Sequence, residues 1–244
     1  MILSDTRILE EIEKGTIKIK PYRREDLGSN SYDCHLGEWL GLYLNGLSIP
    51  VWDIITGQKQ YNRKIMKNYV KEVNEKPLDA AMNNSIVLFK IPPKGLVLYN
   101  SVFYLGATEE YTETHAHVPF IEGKSSTGRL SIDIHATAGK GDVGFCGFWT
   151  LEISVKQSVK VYAGMPIGQL IYFPVDGEVE VNYNNKKNAK YSVQGNMPKE
   201  SMMWKNKFFD QFNISHDQEN AEKFLSKAEK GVLERVRLDH GVYS

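Results

Sequence analysis

FCGFWTLEISVKQSVKVYAGMPIGQLIYF, residues 145–173, decides the fold. Strand-like runs rich in β-branched and aromatic residues fill 147–155, 158–162 and 167–173, and Ala163-Gly164-Met165-Pro166 supplies a turn between the last two. Working outward, Ser85–Ile91 reads as a strand, Pro92-Pro93-Lys94-Gly95 as a turn and Leu96–Leu105 as a strand. A polar stretch, Ala107–Thr114, follows, and further strand-like runs lie at 117–121 and 130–136. Short strands separated by turn signals every ~8–12 residues predict a mainly β sandwich or barrel.

Before this block, Ser4-Asp5 caps a helix whose apolar residues are Ile8, Leu9 and Ile12, and Gly15 ends it. Residues 17–20 alternate as a strand, and Ser31–Gly37 alternates again and stops at the glycine. Residues 39–75 give no clear period, and Lys64–Glu75 reads as helix or loop. After Pro198 the pattern turns helical: Ala221, Phe224, Leu225, Ala228, Val232, Leu233 and Val236 recur on one face of Asp217–Val236. The expected organisation is a β domain over 1–198 with a helical extension over 199–244.

Composition narrows the function. The 244 residues carry 30 basic and 30 acidic side chains, so long-range attraction to nucleic acid or an anionic membrane is not expected. No apolar run approaches the ~20 residues of a membrane span, and the charged N-terminus does not read as a signal peptide. Cys34 and Cys146 are the two cysteines, too few for a disulfide framework, which fits a reducing compartment. The expected setting is cytoplasmic, or the host cytoplasm if the source is viral.

Two segments carry chemistry. In Ile121-Glu122-Gly123-Lys124-Ser125-Ser126-Thr127-Gly128-Arg129-Leu130, glycines flank hydroxyls and two cations, a composition suited to anions and equally to a polar turn between strands. It lacks the order of a P-loop, and no dinucleotide fingerprint opens a helix after a strand. In the second segment, four glycines fall within the nine residues 139–147, around Asp142, and lead into an apolar strand interrupted by Glu152. If Trp149, Leu151 and Ile153 face the core, Glu152 shares the other face with Thr150 and Ser154. Locally, an exposed strand carboxylate is the readier reading than a catalytic one.

Together these segments resemble the dCTP deaminases. The resemblance rests on Gly123-Lys124-Ser125-Ser126-x-x-Arg129, Thr137-Ala138, Asp142-x-Gly144-x-x-Gly147 and Thr150-Leu151-Glu152. Met1–Asp5, Ser31–Gly37, Ala163–Leu170 and Ala189-Lys190-Tyr191-x-x-Gln194-Gly195 match further family segments, so the likeness covers about 1–37 and 85–198. It implies a distorted β-barrel or jelly-roll-like fold of dUTPase type. The glutamate after Leu151 favours deamination over the triphosphate hydrolysis of dUTPases, which lack it.

By this resemblance, Glu152 is the base that activates water, Ser125 and the Ala138 carbonyl position that water, and Arg129 balances charge. Asp142 accepts the 3′-hydroxyl, and groups near Thr150 read the base. Lys124 (where many relatives have arginine), Ser126, Tyr183, Lys190 and Gln194 hold the triphosphate. Mg²⁺ accompanies the phosphates, no zinc is needed, and a homotrimer shares its sites between subunits, with 183–195 closing as a lid. Zinc deaminases need a Pro-Cys-x-x-Cys pair, which is absent, and His115 and His117 show no third ligand. The expected reaction takes dCTP to dUTP and ammonia. A dUTPase or a bifunctional enzyme giving dUMP and pyrophosphate is the alternative, and a nucleotide-sensing interaction module is the non-enzyme alternative.

Overall fold

The computed structural model describes residues 1–43, 77–192 and 194–212. Among them, 1–42 and 88–199 fall in one compact unit, and 43, 77–87 and 200–212 in a second. The expected amphipathic helix at Asp217–Val236 and the Lys64–Glu75 segment lie outside the described residues.

The first unit opens with α1 (Asp5–Glu13), whose N-cap Ser4 accepts the Arg7 amide. Gly15 (φ +74°) turns the chain into β1 (Ile17–Lys20). Then come β2 (Tyr32–Tyr43), β3 (Ile86–Lys90), β4 (Leu96–Leu98), β5 (Tyr104–Thr114) and β6 (His117–Gly123). A short helix α2 (Ser125–Arg129) precedes β7 (Ile132–Asp133), β8 (Phe145–Val155), β9 (Val159–Val161) and β10 (Pro166–Pro174). Eight strands form one near-closed sheet in the order β6-β10-β2-β5-β8-β7, with β1 also on β5 and β3 on β2, while β4 and β9 pair separately. The protein is mainly β with an N-terminal helix, as the strand spacing predicts.

Four boundaries differ from the sequence reading, each for a physical reason. β2 does not stop at Gly37 but runs on to Tyr43. The glycine sits where β5 approaches so closely that a Cβ would lie 2.9 Å from the Ala107 carbonyl oxygen. Leu96–Leu105 breaks in two, because the chain turns at 99–102 with Val102 donating to the Tyr99 carbonyl at 3.1 Å. The polar stretch Ala107–Thr114 is most of β5, and its Thr108, Glu110, Thr112 and Thr114 are all buried. The run at 130–136 shrinks to the two residues of β7, behind α2.

Three of those four buried polar groups have side-chain partners, the Thr114 hydroxyl being the exception. Thr108 Oγ1 accepts the Trp149 amide and Thr112 Oγ1 accepts Trp149 Nε1, each at 3.0 Å. Glu110 has no solvent exposure and accepts from the His35 amide at 2.9 Å and from Arg23 at 3.3 Å, with His35 Nδ1 at 2.6 Å. Burial pushes its carboxyl pKa up, against the pull of His35. This cluster sews β5 to β2, so that β8, on the other edge of β5, has a fixed base from which to present its outer face.

In the second unit the described residues include 3-10 turns at Met203–Lys205 and Lys207–Phe212, where the sequence reading expects helix. Ser201 N donates to Tyr43 Oη at 2.8 Å within it. Among the described residues, no helix is long and apolar enough to cross a membrane.

Candidate active site

β8 sets the register of the site. Trp149, Leu151 and Ile153 are buried, and Thr150, Glu152 and Ser154 are half-buried on the opposite face, as alternation requires. The Glu152 amide donates to the Ile134 carbonyl at 2.9 Å, and the Ala136 amide donates to Glu152 Oε2 at 2.7 Å. Segment 134–136 therefore clasps the carboxylate at one oxygen. Among the described residues the other oxygen has no protein donor. An amide-held carboxylate with one free oxygen can accept a proton from a water placed against it.

α2 carries the hydroxyl-rich motif. Buried Thr127 anchors it, accepting the Lys124 amide at 3.1 Å and donating to the Lys124 carbonyl at 2.8 Å. This turns Ser125, Ser126 and Arg129 outward, and all three are exposed. Lys124 is not free: its ammonium is paired with the Asp33 carboxylate of β2. Arg129 has no ion-pair partner among the described residues.

Past β10 the chain returns to β8. The Tyr183 amide donates to the Val143 carbonyl at 2.8 Å, and Gln194 makes a parallel bridge to Gly147. Thr150 Oγ1 donates to Gln194 Oε1 at 2.9 Å. Gly144 permits this approach: at φ +90°, a Cβ there would lie 2.7 Å from Asn182 Cβ. The returning segment and the glycine-rich loop border an open cleft of about 300 Å³ lined by Asp142, Tyr183, Lys186, Lys190 and Tyr191, among others. The Tyr191 amide donates to Tyr183 Oη at 3.0 Å, and Asp142 pairs with Lys140 at 2.5 Å.

The structure thus brings together Asp142, Tyr183 and Lys190 around one cleft, and Thr150 with Gln194 beside it. Ala138 is exposed in the loop between 134–136 and Gly139. No hydrogen bond or ion pair joins Glu152 to Ser125, Ser126 or Arg129 within one chain among the described residues.

Over residues 2–175 the sequence matches the dCTP deaminase-like family. The chain belongs to that family. The dUMP-forming dCTP deaminase of Leptospira biflexa serovar Patoc is 39% identical over 194 residues, covering 80% of this chain and 94% of that protein. The dUMP-forming dCTP deaminase of Cytophaga hutchinsonii is 38% identical over 191 residues, covering 78% and 90%. Among solved structures, the 2′-deoxycytidine 5′-triphosphate deaminase from Agrobacterium tumefaciens aligns with 73% of this chain and 49% of its own length, at 19% identity and a TM-score of 0.47.

Within this deaminase-family chain, sequence reasoning passes over three site features. Asp33 becomes the partner of Lys124 only because β10 pairs with both β2 and β6, setting Gln169 opposite Asp33 and Glu122. The Ala136 amide carries no side-chain signal. Gly144 is visible as one of the four clustered glycines, but its contact with Asn182 depends on a segment almost forty residues downstream.

Proposed function

We propose that this chain catalyses the hydrolytic deamination of dCTP without zinc, and goes on to release dUMP and pyrophosphate. The observation that carries the deamination is Glu152, a half-buried acid on an otherwise apolar strand, held at one oxygen by the Ala136 amide and without a protein partner at the other. The dUMP product takes its support from the relatives at 38–39% identity, which are named dUMP-forming. That weighs for the bifunctional route over release of dUTP.

In this reading Glu152 takes a proton from water as the oxygen adds to C4 of cytosine, and passes it to N3. A second proton, from the added hydroxyl, goes by the same carboxyl to the exocyclic amine. The C4–N bond then breaks, and ammonia leaves behind a uracil ring. General base action of this kind contributes ~10²–10⁴ in rate. Ser125 and the Ala138 carbonyl position the water, and Arg129 offsets the charge that develops. A second water then divides dUTP into dUMP and pyrophosphate.

Asp142 accepts the 3′-hydroxyl and the main chain at Thr150 reads the base edge. Lys124, Ser126, Tyr183, Lys190 and Gln194 hold the triphosphate, which arrives with Mg²⁺ as part of the substrate. Ser125, Ser126 and Arg129 are exposed, and among the described residues no hydrogen bond or ion pair joins them to the Glu152 carboxylate in one chain. We therefore take the working enzyme to be a homotrimer in which α2 of one copy meets β8 of the next. The segment 183–195 closes over the nucleotide.

The test is product analysis by chromatography, with dCTP, dUTP and dCMP supplied in parallel with Mg²⁺, beside an ammonia assay. Ammonia, dUMP and pyrophosphate from dCTP are expected. Glu152→Gln, which keeps an oxygen for the Ala136 amide, is expected to abolish ammonia release while dCTP binding stays within a few-fold. Nucleotide bound without turnover by the unaltered chain would instead identify a sensor.

A further inference from the structure

The β5–β8 ladder creates a donor set that the sequence hides. Glu113 and Cys146 are direct cross-strand partners, and His115 follows in the turn after β5. One ligand atom from each of Glu113, His115 and Cys146 lies within 4.8 Å of the other two. His115 and His117 do not act as a pair: His117 opens β6 and is buried, while His115 turns back onto Glu113. The third donor, Cys146, comes from a strand 31 residues beyond His115.

We infer that Glu113, His115 and Cys146 form a site for a soft or borderline divalent cation, of which zinc is the natural occupant. A thiolate, an imidazole and a carboxylate are the three donor types zinc takes, and three protein ligands leave a fourth position for water. Bonds of ~2.0–2.3 Å place tetrahedral donors about 3.5 Å apart, so no separation within the 4.8 Å bound need close by more than roughly an ångström, while the 2.8 Å His115–Glu113 contact opens. His115, on an exposed turn with a side chain 33% accessible, supplies that movement and the entry path.

The place is already a cation site. Glu113 Oε2 lies 2.7 Å from Lys18 Nζ and 2.8 Å from His115 Nε2. Lys18 has an accessible side chain that can swing into solvent when a metal arrives. On binding, the Cys146 thiol releases its proton as the sulfur–metal bond forms. His115 donates its Nε2 lone pair with its proton on Nδ1, and Lys18 leaves Glu113. The alternative grouping of His35, Glu109 and Glu110 is a poorer host, because the Arg23 guanidinium already spans both carboxylates.

This site is separate from the chemistry proposed for Glu152, and none of its ligands is assigned there. The test uses the full chain, freed of metal by a chelator and then titrated with Co²⁺ or Zn²⁺. One Co²⁺ per chain is expected, with a near-ultraviolet thiolate-to-cobalt charge-transfer band that Zn²⁺ bleaches. Cys146→Ser removes the band, His115→Ala weakens binding at least tenfold, and Cys34→Ser leaves both unchanged. Lys18→Ala, which replaces no ligand, tightens binding several-fold by removing the ammonium that competes for Glu113. Should Cys146→Ser unfold by circular dichroism, the His115 and Lys18 variants decide. No band in the unaltered chain, a band that survives in a folded Cys146→Ser, or a Lys18→Ala chain that binds no tighter overturns the site. With Mg²⁺ restored after chelation, dCTP turnover is expected unchanged, so this result and the Glu152 result fall independently.

Discussion

Gly144→Ala tests how the cleft is held. An alanine at φ +90° costs about 1–2 kcal/mol in backbone strain. Its Cβ would sit 2.7 Å from Asn182 Cβ and 2.9 Å from the Tyr183 nitrogen, and these cannot rotate aside as the end of a long side chain can. Segment 182–184 must therefore retreat, giving up the Tyr183–Val143 hydrogen bond, worth about 1 kcal/mol. The sum is about 2–3 kcal/mol, charged against the closed arrangement that carries Tyr183 and leads to Lys190 and Gln194. Because the sheet does not depend on this segment, the cost falls on ligand binding: Kd for dCTP·Mg²⁺ rises by roughly 30- to 150-fold. Calorimetric titration in a Glu152→Gln background measures this without turnover. Limited trypsin digestion reads the same event as faster cleavage at Lys186, Lys187 and Lys190. A Kd within twofold of the parent, with an unchanged digestion pattern, would refute the reasoning.

Other outcomes follow from the buried charges and the cleft. Glu110→Ala leaves Arg23 its Glu109 partner but takes the acceptor from the buried His35 ring and amide, and a loss of about 1–3 kcal/mol is expected in urea unfolding; a loss under about 1 kcal/mol contradicts the role given to this cluster. The hydrogen bond from Lys18, ahead of that from His115, holds the Glu113 carboxyl at about 2 against an ordinary 4.5. With the folded value depressed, its stabilisation is full above pH 4.5 and is lost as pH falls towards about 2. The gap is at most about 3 kcal/mol, and the 43% exposure of Lys18 screens it to about 1 kcal/mol. Acid unfolding of Lys18→Met should lack this component, and an acid limb identical to the parent's would count against the pairing. Lys190→Ala is expected to raise KM about tenfold with kcat within twofold, and an unchanged KM would remove Lys190 from the phosphate site.

What could be read in advance follows from where the information lies. The period-2 pattern of Trp149, Leu151 and Ile153 is local, so the face of Glu152 was legible from eleven residues of strand. The turn at Pro92–Gly95 and the Ser4 cap are equally local. The polarity of Thr108–Thr114 misleads for the opposite reason. β-branched threonines suit a strand, and the hydroxyls of Thr108 and Thr112 are satisfied by Trp149 and by the backbone, partners that only the fold supplies. Gly37 reads as a stop because glycine usually marks one; here it marks the close passage of β5. Lys124 looks like a free cation in a serine-rich loop, and its pairing with Asp33 waits on two strands reaching β10 from opposite sides. The Cys146–His115 proximity is likewise a matter of register, invisible to any count of spacing along the chain.

Residues 182–194 rejoin β8 after the last strand of the sheet is complete. The scaffold and the proposed grip on the nucleotide are thus consecutive along the polypeptide, and one cut near Asp176 would part them. Every strand pair among the described residues would survive that cut, while Tyr183, Lys190 and Gln194 would keep only their hydrogen bonds to it. A protease acting there would leave an intact shell with Glu152 still in place and the residues proposed to hold the triphosphate no longer tied to it. Turnover could then be silenced irreversibly without unfolding the protein.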